Sequence, residues 1–376
     1  MTEKLYENNS YIKEFTAKVI SSDERGTVLD KTAFFPEGGG QYGDTGYISG
    51  IRVTDTQIKD GIIYHITEAP VEQTEVNCTL DWNIRYNRMQ NHTGEHILSG
   101  VINRKYGYNN VGFHMSNDEV TLDVDGKLTE EDIIWLEDEV NRIIDENREV
   151  YCIYPEGDEL RNLQYRSKLD LTEGVRIVVI DSVDMCACCA PHVNTTAEVG
   201  LLKIVKHYNY KGGTRMHILC GDFARRDYRT LSEQNTKVAN TYSAKRYELC
   251  EVVERLEKEI YTLKDQLRTL RSSVIESMVQ ENGGKGVCLY FADDFAMDEL
   301  IKLADRSVVL YPDALTVALS GNDTDGFNFA IGGANAKDRF ADFKARFNAR
   351  GGGRDMYQGK VQSCKNELAD FFNGIS

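Results

Sequence analysis

The sequence predicts an α+β multidomain protein: a small N-terminal β-barrel, an α+β domain, a long coiled-coil helix and a C-terminal α/β domain. Three observations predict it. Short strand-like runs broken by glycines fill the chain to about residue 80. An unbroken 4-3-4-3 apolar spacing runs from Leu249 to Val274. After Asn282-Gly283-Gly284, strand-like and helix-like segments alternate. The expected divisions are residues 1–82, 83–228, 229–282 and 283–376. At 376 residues, the chain is long enough for several domains with cores of their own.

In the first segment, Thr16–Ile20, Gly26–Asp30 and Gly61–Ile66 read as strands of a small antiparallel barrel. A helix is expected from Asn83 to about Tyr106, with Ile84, Met89, His92, His96, Ile97 and Val101 near one stripe. Gly94 and Gly100 each cost about 1 kcal/mol in a helix, so something is expected to approach that face closely. A second helix opens at Thr129, with Asp132 completing a capping box, and runs to about Asn147. Strands follow at Val175–Ile180, Val199–Lys206 and Thr214–Cys220. The heptad seam is Leu249, Val253, Leu256, Ile260, Leu263, Leu267, Leu270 and Val274, flanked by Glu, Lys and Arg. Beyond it, Val287–Phe291, Ser307–Tyr311 and Leu315–Leu319 read as strands, and Asp338–Ala349 and Val361–Phe372 as amphipathic helices.

A formal charge of −16 argues against a general nucleic-acid coat protein. The N-terminus has no basic-then-apolar leader, and no apolar run approaches the roughly 18 residues of a membrane span. Nine irregularly spaced cysteines fit thiols or ligands in a reducing compartment, so a cytoplasmic protein with no membrane partner is expected.

Two pairs of metal-ligand residues stand out. His92 and His96 are spaced i, i+4, which on a helix aims both imidazoles off one face. Cys188 and His192 repeat that spacing in Cys188-Cys189-Ala190-Pro191-His192. A mixed N/S set suits zinc better than magnesium or calcium. Cys186 and Cys189 are spare thiols, and neither has a histidine four residues on. A competing reading takes His92-Thr93-Gly94-Glu95-His96 as the H-x-x-E-H motif of a zinc metallopeptidase, with Glu95 as base and Glu173 as third ligand. It leaves Cys188 and His192 without a role. The loop Phe34-Phe35-Pro36-Glu37-Gly38-Gly39-Gly40-Gln41 allows close backbone approach to a ligand, and lacks the Gly-Lys-Ser/Thr of a P-loop.

Thr32-x-Phe34-Phe35-Pro36-Glu37-Gly38-Gly39-Gly40-Gln41, Asp44-x-Gly46, H-x-x-x-H and C-x-x-x-H come in an order that resembles the editing domain of alanyl-tRNA synthetase. It is equally similar to the freestanding alanyl-tRNA editing proteins of the large AlaX type. Arg350-Gly351-Gly352-Gly353-Arg354 resembles the glycine-rich signature of the synthetase's C-terminal, DHH-associated domain. The chain departs from the family where Cys-Gly-Gly-Thr-His becomes Cys188-Cys189-Ala190-Pro191-His192.

The resemblance implies a zinc-dependent hydrolase that deacylates Ser-tRNA(Ala) or Gly-tRNA(Ala) in trans, and not a full aminoacyl-tRNA ligase. It implies one Zn2+ per chain on His92, His96, Cys188 and His192. Thr32, Gln41 and His192 would act in catalysis, with His192 either the fourth ligand or a partner for water. Phe34, Glu37, Gly38, Gly39 and Gly40 would contact substrate, as would Arg350, Gly351, Gly352, Gly353 and Arg354. In that scheme Glu95 is exposed or stands behind the ligands. The expected partner is tRNA(Ala), met at its acceptor stem and elbow, with a homodimer through the coiled coil or the C-terminal domain. Residues 337–360 carry seven Lys or Arg against three Asp, in contrast to the acidic whole. A tRNA-binding module without catalysis is the remaining reading.

Overall fold

The computed structural model describes residues 2–116, 118–167, 173–282, 284 and 286–374. The chain forms two compact units, Met1–Lys237 and Val238–Ser376. The architecture is mixed α/β throughout.

In the first unit, six strands close on one another in the order Glu14–Asp23, Gly26–Leu29, Ile62–Thr67, Ile51–Lys59, Gly46–Ile48 and Glu75–Leu80. The pleat explains the closure. In Glu75–Leu80 every second residue is buried, so Val76, Cys78 and Leu80 meet Leu29, Phe34, Ile48 and Val53 inside. One joint is narrow: Gly26–Leu29 and Ile62–Thr67 are registered by a single pair, Thr27 with His65.

The helix Trp82–Tyr106 follows and ends at Gly107, whose φ of 72° satisfies a left-handed cap. Its burial is not a stripe. Almost every residue from Arg85 to Ile102 is buried, whereas Ile84 is 42% exposed. Polar residues are tolerated inside because they are bonded: Arg85 pairs with Asp44, and Asn91 exchanges hydrogen bonds with the Cys220 backbone. The two helical glycines are close-approach sites. A Cβ on Gly94 would lie 2.3 Å from Cys220 Sγ, and one on Gly100 would lie 2.7 Å from Asp184 Cβ.

This helix packs on Glu130–Asp145, which opens with the expected Thr129/Asp132 capping box, and on a four-stranded sheet. That sheet runs Leu202–Tyr210, Gly213–Cys220, Val120–Val124, Asn110–Met115. A second, three-stranded antiparallel sheet orders Val150–Ile153, Ile177–Ile180 and Asp184–Ala187, and its last strand delivers the chain to Cys188. The expected strand from Val175 therefore starts two residues later, at Ile177.

In the second unit, the helix Leu249–Asn282 spans 34 residues. The seam residues Val253, Ile260, Leu263, Leu267, Leu270 and Val274 are 47–65% exposed. Gly283, part of the expected break after this helix, lies outside the described residues. The five-stranded sheet that follows orders Val287–Phe291, Leu315–Asn322, Gly326–Gly333, Tyr357–Val361 and Arg350–Gly353. Helix Met297–Leu310 covers one face. Helices Ala336–Phe347 and Lys365–Asn373 cover the other.

Ser307–Tyr311, expected as a strand, is instead the end of the Met297–Leu310 helix and its cap. Its Val308-Val309-Leu310 run favours a strand locally. The helical spacing of the buried Leu300, Leu303, Ala304 and Ser307 outweighs that preference. Arg350–Gly353 is an exposed edge strand. Among the described residues, no helix is long and apolar enough to cross a membrane.

Candidate metal centre

His92 and His96 stand one turn apart on the Trp82–Tyr106 helix, whereas Cys188 and His192 lie on the loop leaving Asp184–Ala187. The fold brings all four together: one nitrogen or sulfur atom from each lies within 4.8 Å of the others. The loop is held from several sides. Arg176 Nη1 donates to the carbonyls of Cys188 and Ala190, at 2.7 and 2.8 Å. Ser10 Oγ donates to the His192 carbonyl at 2.9 Å.

Each imidazole turns its Nδ1 away from the centre and ties it to a partner. His92 Nδ1 donates to Gln41 Oε1 at 2.9 Å and His96 Nδ1 to Asp184 Oδ2 at 3.2 Å, while His192 Nδ1 bonds Thr93 Oγ1 at 3.0 Å. The Nε2 atoms of His92 and His192 are left 3.6 and 3.4 Å from Cys188 Sγ. An ion with N at ~2.0–2.1 Å and S at ~2.3 Å in tetrahedral array separates N from S by about 3.5 Å. The donor set and its spacing therefore fit one metal ion, with the second nitrogens fixing tautomer and ring orientation.

The electrostatics agree for two of the four. Burial pushes the Cys188 thiol up, but the charge of His92 and hydrogen bonds from His192, His92 and His96 outweigh burial and hold it well below the ordinary thiol value. Burial lowers His192 to about 3, keeping its imidazole neutral. His96 differs. Burial opposes its charge, yet Cys186 and the Asp184 bond hold it well above the ordinary histidine value, so metal loading there displaces a proton.

A second grouping, His96, Asp184 and Cys186, is close enough to suggest another ion. It is better explained as support for the first. Arg166 donates to both Asp184 oxygens at 2.7 Å, filling with a guanidinium the position that a cation would need. Glu173 belongs to neither grouping and is exposed, so the metallopeptidase reading lacks its third ligand.

A cavity of about 720 Å³ opens beside the quartet. His92, His96 and Cys188 line it together with Glu95, Phe113 and Arg166. The glycine loop forms part of its rim: Gly38 and Gln41 exchange backbone hydrogen bonds at 3.0 Å, and Gly39 and Gly40 have φ of 60° and 84°. A Cβ on Gly40 would meet Phe113 at 2.7 Å.

Of the loop residues expected at the substrate, Gly39 lines the cavity, and Gly38 and Gly40 flank it. Phe34 does not: its ring packs in the barrel core against Phe15 and His65. Glu37 is exposed and accepts from Gln57 Nε2 at 2.6 Å. Thr32 is fully buried. It donates to His65 Nε2 at 2.8 Å and accepts from Phe34 N–H at 3.1 Å, and it is not in the cavity wall. Gln41 is buried against His92, and its Nε2 has no partner among the described residues. Arg350–Arg354 belong to the other unit.

Sequence reasoning missed Asp184, Arg166, Arg176 and Phe113 as supports of the centre. No spacing rule marks them, since each arrives from a different element.

Residues 175–217, which contain Cys188 and His192, match the domain described as threonyl and alanyl tRNA synthetase second additional domain. Residues 4–87 match the family described as tRNA synthetases class II (A). The alanyl-tRNA editing protein AlaX-L of Pyrococcus horikoshii is 34% identical over 299 residues, covering 73% of this chain and 72% of that protein. This chain belongs to the alanyl-tRNA editing protein family. The alanine–tRNA ligases of Sulfurisphaera tokodaii and Pyrococcus abyssi are each 30% identical, covering 95% and 96% of the chain. The chain spans less than half of those ligases, 42% of each. One ligand pair thus lies inside the matched second additional domain, and the other on the helix Trp82–Tyr106, within which the match over residues 4–87 ends.

Proposed function

We propose that this protein hydrolyses the ester of mischarged tRNA(Ala), seryl or glycyl, in trans, at one Zn2+ held by His92, His96, Cys188 and His192. The single observation that carries the reading is the quartet itself, four donors converging on one point with all three Nδ1 atoms tied elsewhere. The need for such a reaction is physical. A pocket built for alanine cannot exclude glycine and rejects the added hydroxyl of serine by only ~10²-fold, so a second site must remove the wrong ester.

An ion bound there supplies Lewis acidity toward the ester carbonyl or the attacking water. The side chains do the rest. Gln41 holds the His92 ring and keeps its amide N–H free for substrate or water, while Arg176 pins the Cys188–Ala190 backbone. His192 fills the fourth place. Thr32, buried against His65 and Phe34 N–H outside the cavity wall, supports the barrel behind the glycine loop and does not meet the serine hydroxyl. No observation favours the metallopeptidase, and the intact quartet speaks against a module without catalysis.

The four segments 1–82, 83–228, 229–282 and 283–376 are read as barrel, zinc editing domain, spacer helix and tRNA-binding domain. Arg350 and Arg354, which form no ion pair among the described residues, support phosphate contact at the tRNA elbow, and the cavity would take the acceptor end. The exposed seam supports a homodimer. All nine cysteines are free, which supports a reducing, cytoplasmic setting. The test is deacylation of Ser-, Gly- and Ala-tRNA(Ala) by wild type and His92→Ala, with zinc measured on both. Turnover of Ser- or Gly-tRNA(Ala) that falls with zinc content in the variant is expected; wild-type inactivity on all three would sink the assignment.

A further inference from the structure

Glu95 sits on the same helix as the histidine ligands, three residues after His92 and one before His96. The sequence led us to expect it exposed or behind the ligands. It is instead 3% exposed and lines the cavity. One of its oxygens is fully engaged: Oε1 accepts from Ser99 Oγ and, at 2.7 Å, from Asn110 Nδ2. Among the described residues Oε2 has no such partner and Glu95 forms no salt bridge; Oε2 is not one of the fully buried unpartnered atoms and is open to the cavity. The other charged side chains of the cavity wall are engaged elsewhere, Arg176 giving its Nη1 to the Cys188 and Ala190 carbonyls. Glu7, the other acid in the cavity wall, pairs with Lys4 at 3.0 Å, and Arg166 is taken at both ends by Asp184.

A carboxylate oxygen that faces a cavity with no ion-pair partner of its own is a ready acceptor for a charged donor, and such a charge-assisted bond is roughly twice as strong as a neutral one. An aminoacyl ester on the end of a tRNA carries one cationic group close to the reacting carbonyl, its α-ammonium. Every other charge nearby is a phosphate, which Glu95 repels. We propose that Glu95 is the recognition site for the α-ammonium of the substrate, its Oε2 accepting from the N–H donors while Ser99 and Asn110 hold the carboxylate in place. This rests on the editing function proposed above, and it assigns Glu95 to binding and not to the general-base role that the peptidase reading would give it.

The experiment compares two esters of the same tRNA(Ala): the seryl ester, and its α-hydroxy counterpart, in which a hydroxyl of similar size replaces the amine. Each enzymatic rate is divided by spontaneous hydrolysis of the same ester, and zinc content and melting temperature are recorded for wild type and Glu95→Gln. A charge-assisted hydrogen bond predicts that the wild type favours the seryl ester by about 30-fold. Glu95→Gln loses about that factor on the seryl ester and nothing on the α-hydroxy ester. Equal losses on both esters, or none on either, would overturn the proposal. If Glu95→Gln fails to fold or to hold zinc, the wild-type ratio decides alone, and a ratio near one overturns it. Wild-type failure on both esters would instead bring down the editing assignment itself.

Discussion

Asp184 touches the metal centre only through His96, yet it organises one side of it. Its Oδ2 receives the His96 Nδ1–H, and both its oxygens are clamped by Arg166. A carboxylate behind a ligating imidazole fixes the ring and strengthens it as a donor, and loss of such a partner weakens metal binding by roughly 10–100-fold. Asp184→Asn is therefore expected to lower zinc affinity by about that range in a chelator competition, with the fold retained by circular dichroism; unchanged affinity would make Asp184 a purely structural neighbour. At this scale the sequence pointed to the four donor residues that the fold brings together and was silent about their supports. The i, i+4 spacing of His92/His96 and Cys188/His192 is a local property that any reader of the chain can see. Asp184, Glu95 and Phe113 gain their roles from orientation, which only tertiary packing supplies. Phe34 shows the converse: a motif residue expected at the substrate is claimed by the barrel core.

Among the elements, the joint between Gly26–Leu29 and Ile62–Thr67 carries a buried titratable group. His65 is fully buried there, donates from Nδ1 to the Thr27 carbonyl at 2.8 Å and accepts from Thr32. Burial lowers its pKa to about 4. An unfolded histidine titrates near 6.5, so the unfolded state binds the proton first as pH falls. The stabilisation that depends on neutral His65 is thus complete above about pH 6.5 and drains away as pH drops toward 4. From pH 7 to 4 the loss from this group is about 3 kcal/mol. Denaturant unfolding of wild type and His65→Gln across that range checks it, the variant showing the shallower dependence on pH. Element types were mostly legible: the heptad spacing marked the long helix and the Thr129/Asp132 box marked a helix start. The miss at Ser307–Tyr311 arose because a β-branched run was weighed alone, without the helical stripe of Leu300, Leu303 and Ala304 beneath it.

For the whole molecule, the apolar seam from Val253 to Val274 is the largest consequence of the long helix: it stands half-exposed. Burying one such side chain is worth about 1.5–3 kcal/mol, so six half-exposed positions on one helix face form a strong driving force for pairing. Sedimentation is expected to show a dimer for the full chain and a monomer for Leu263→Glu/Leu267→Glu; a wild-type monomer at all concentrations would assign the helix to spacing alone. The two-unit division was only partly visible in the sequence, because the boundary at Lys237/Val238 falls inside a continuous helix, Asp222–Thr241, with no break in composition to mark it.

The strand Arg350–Gly353 closes one side of its sheet with three consecutive glycines and no side-chain cover. Its outer row of N–H and C=O groups is a template on which another extended chain could add itself, the usual beginning of sheet-to-sheet aggregation. The two arginines that bracket the glycines set positive charge at each end of that template. Like charge at both ends disfavours pairing of this edge with the same edge of a second copy.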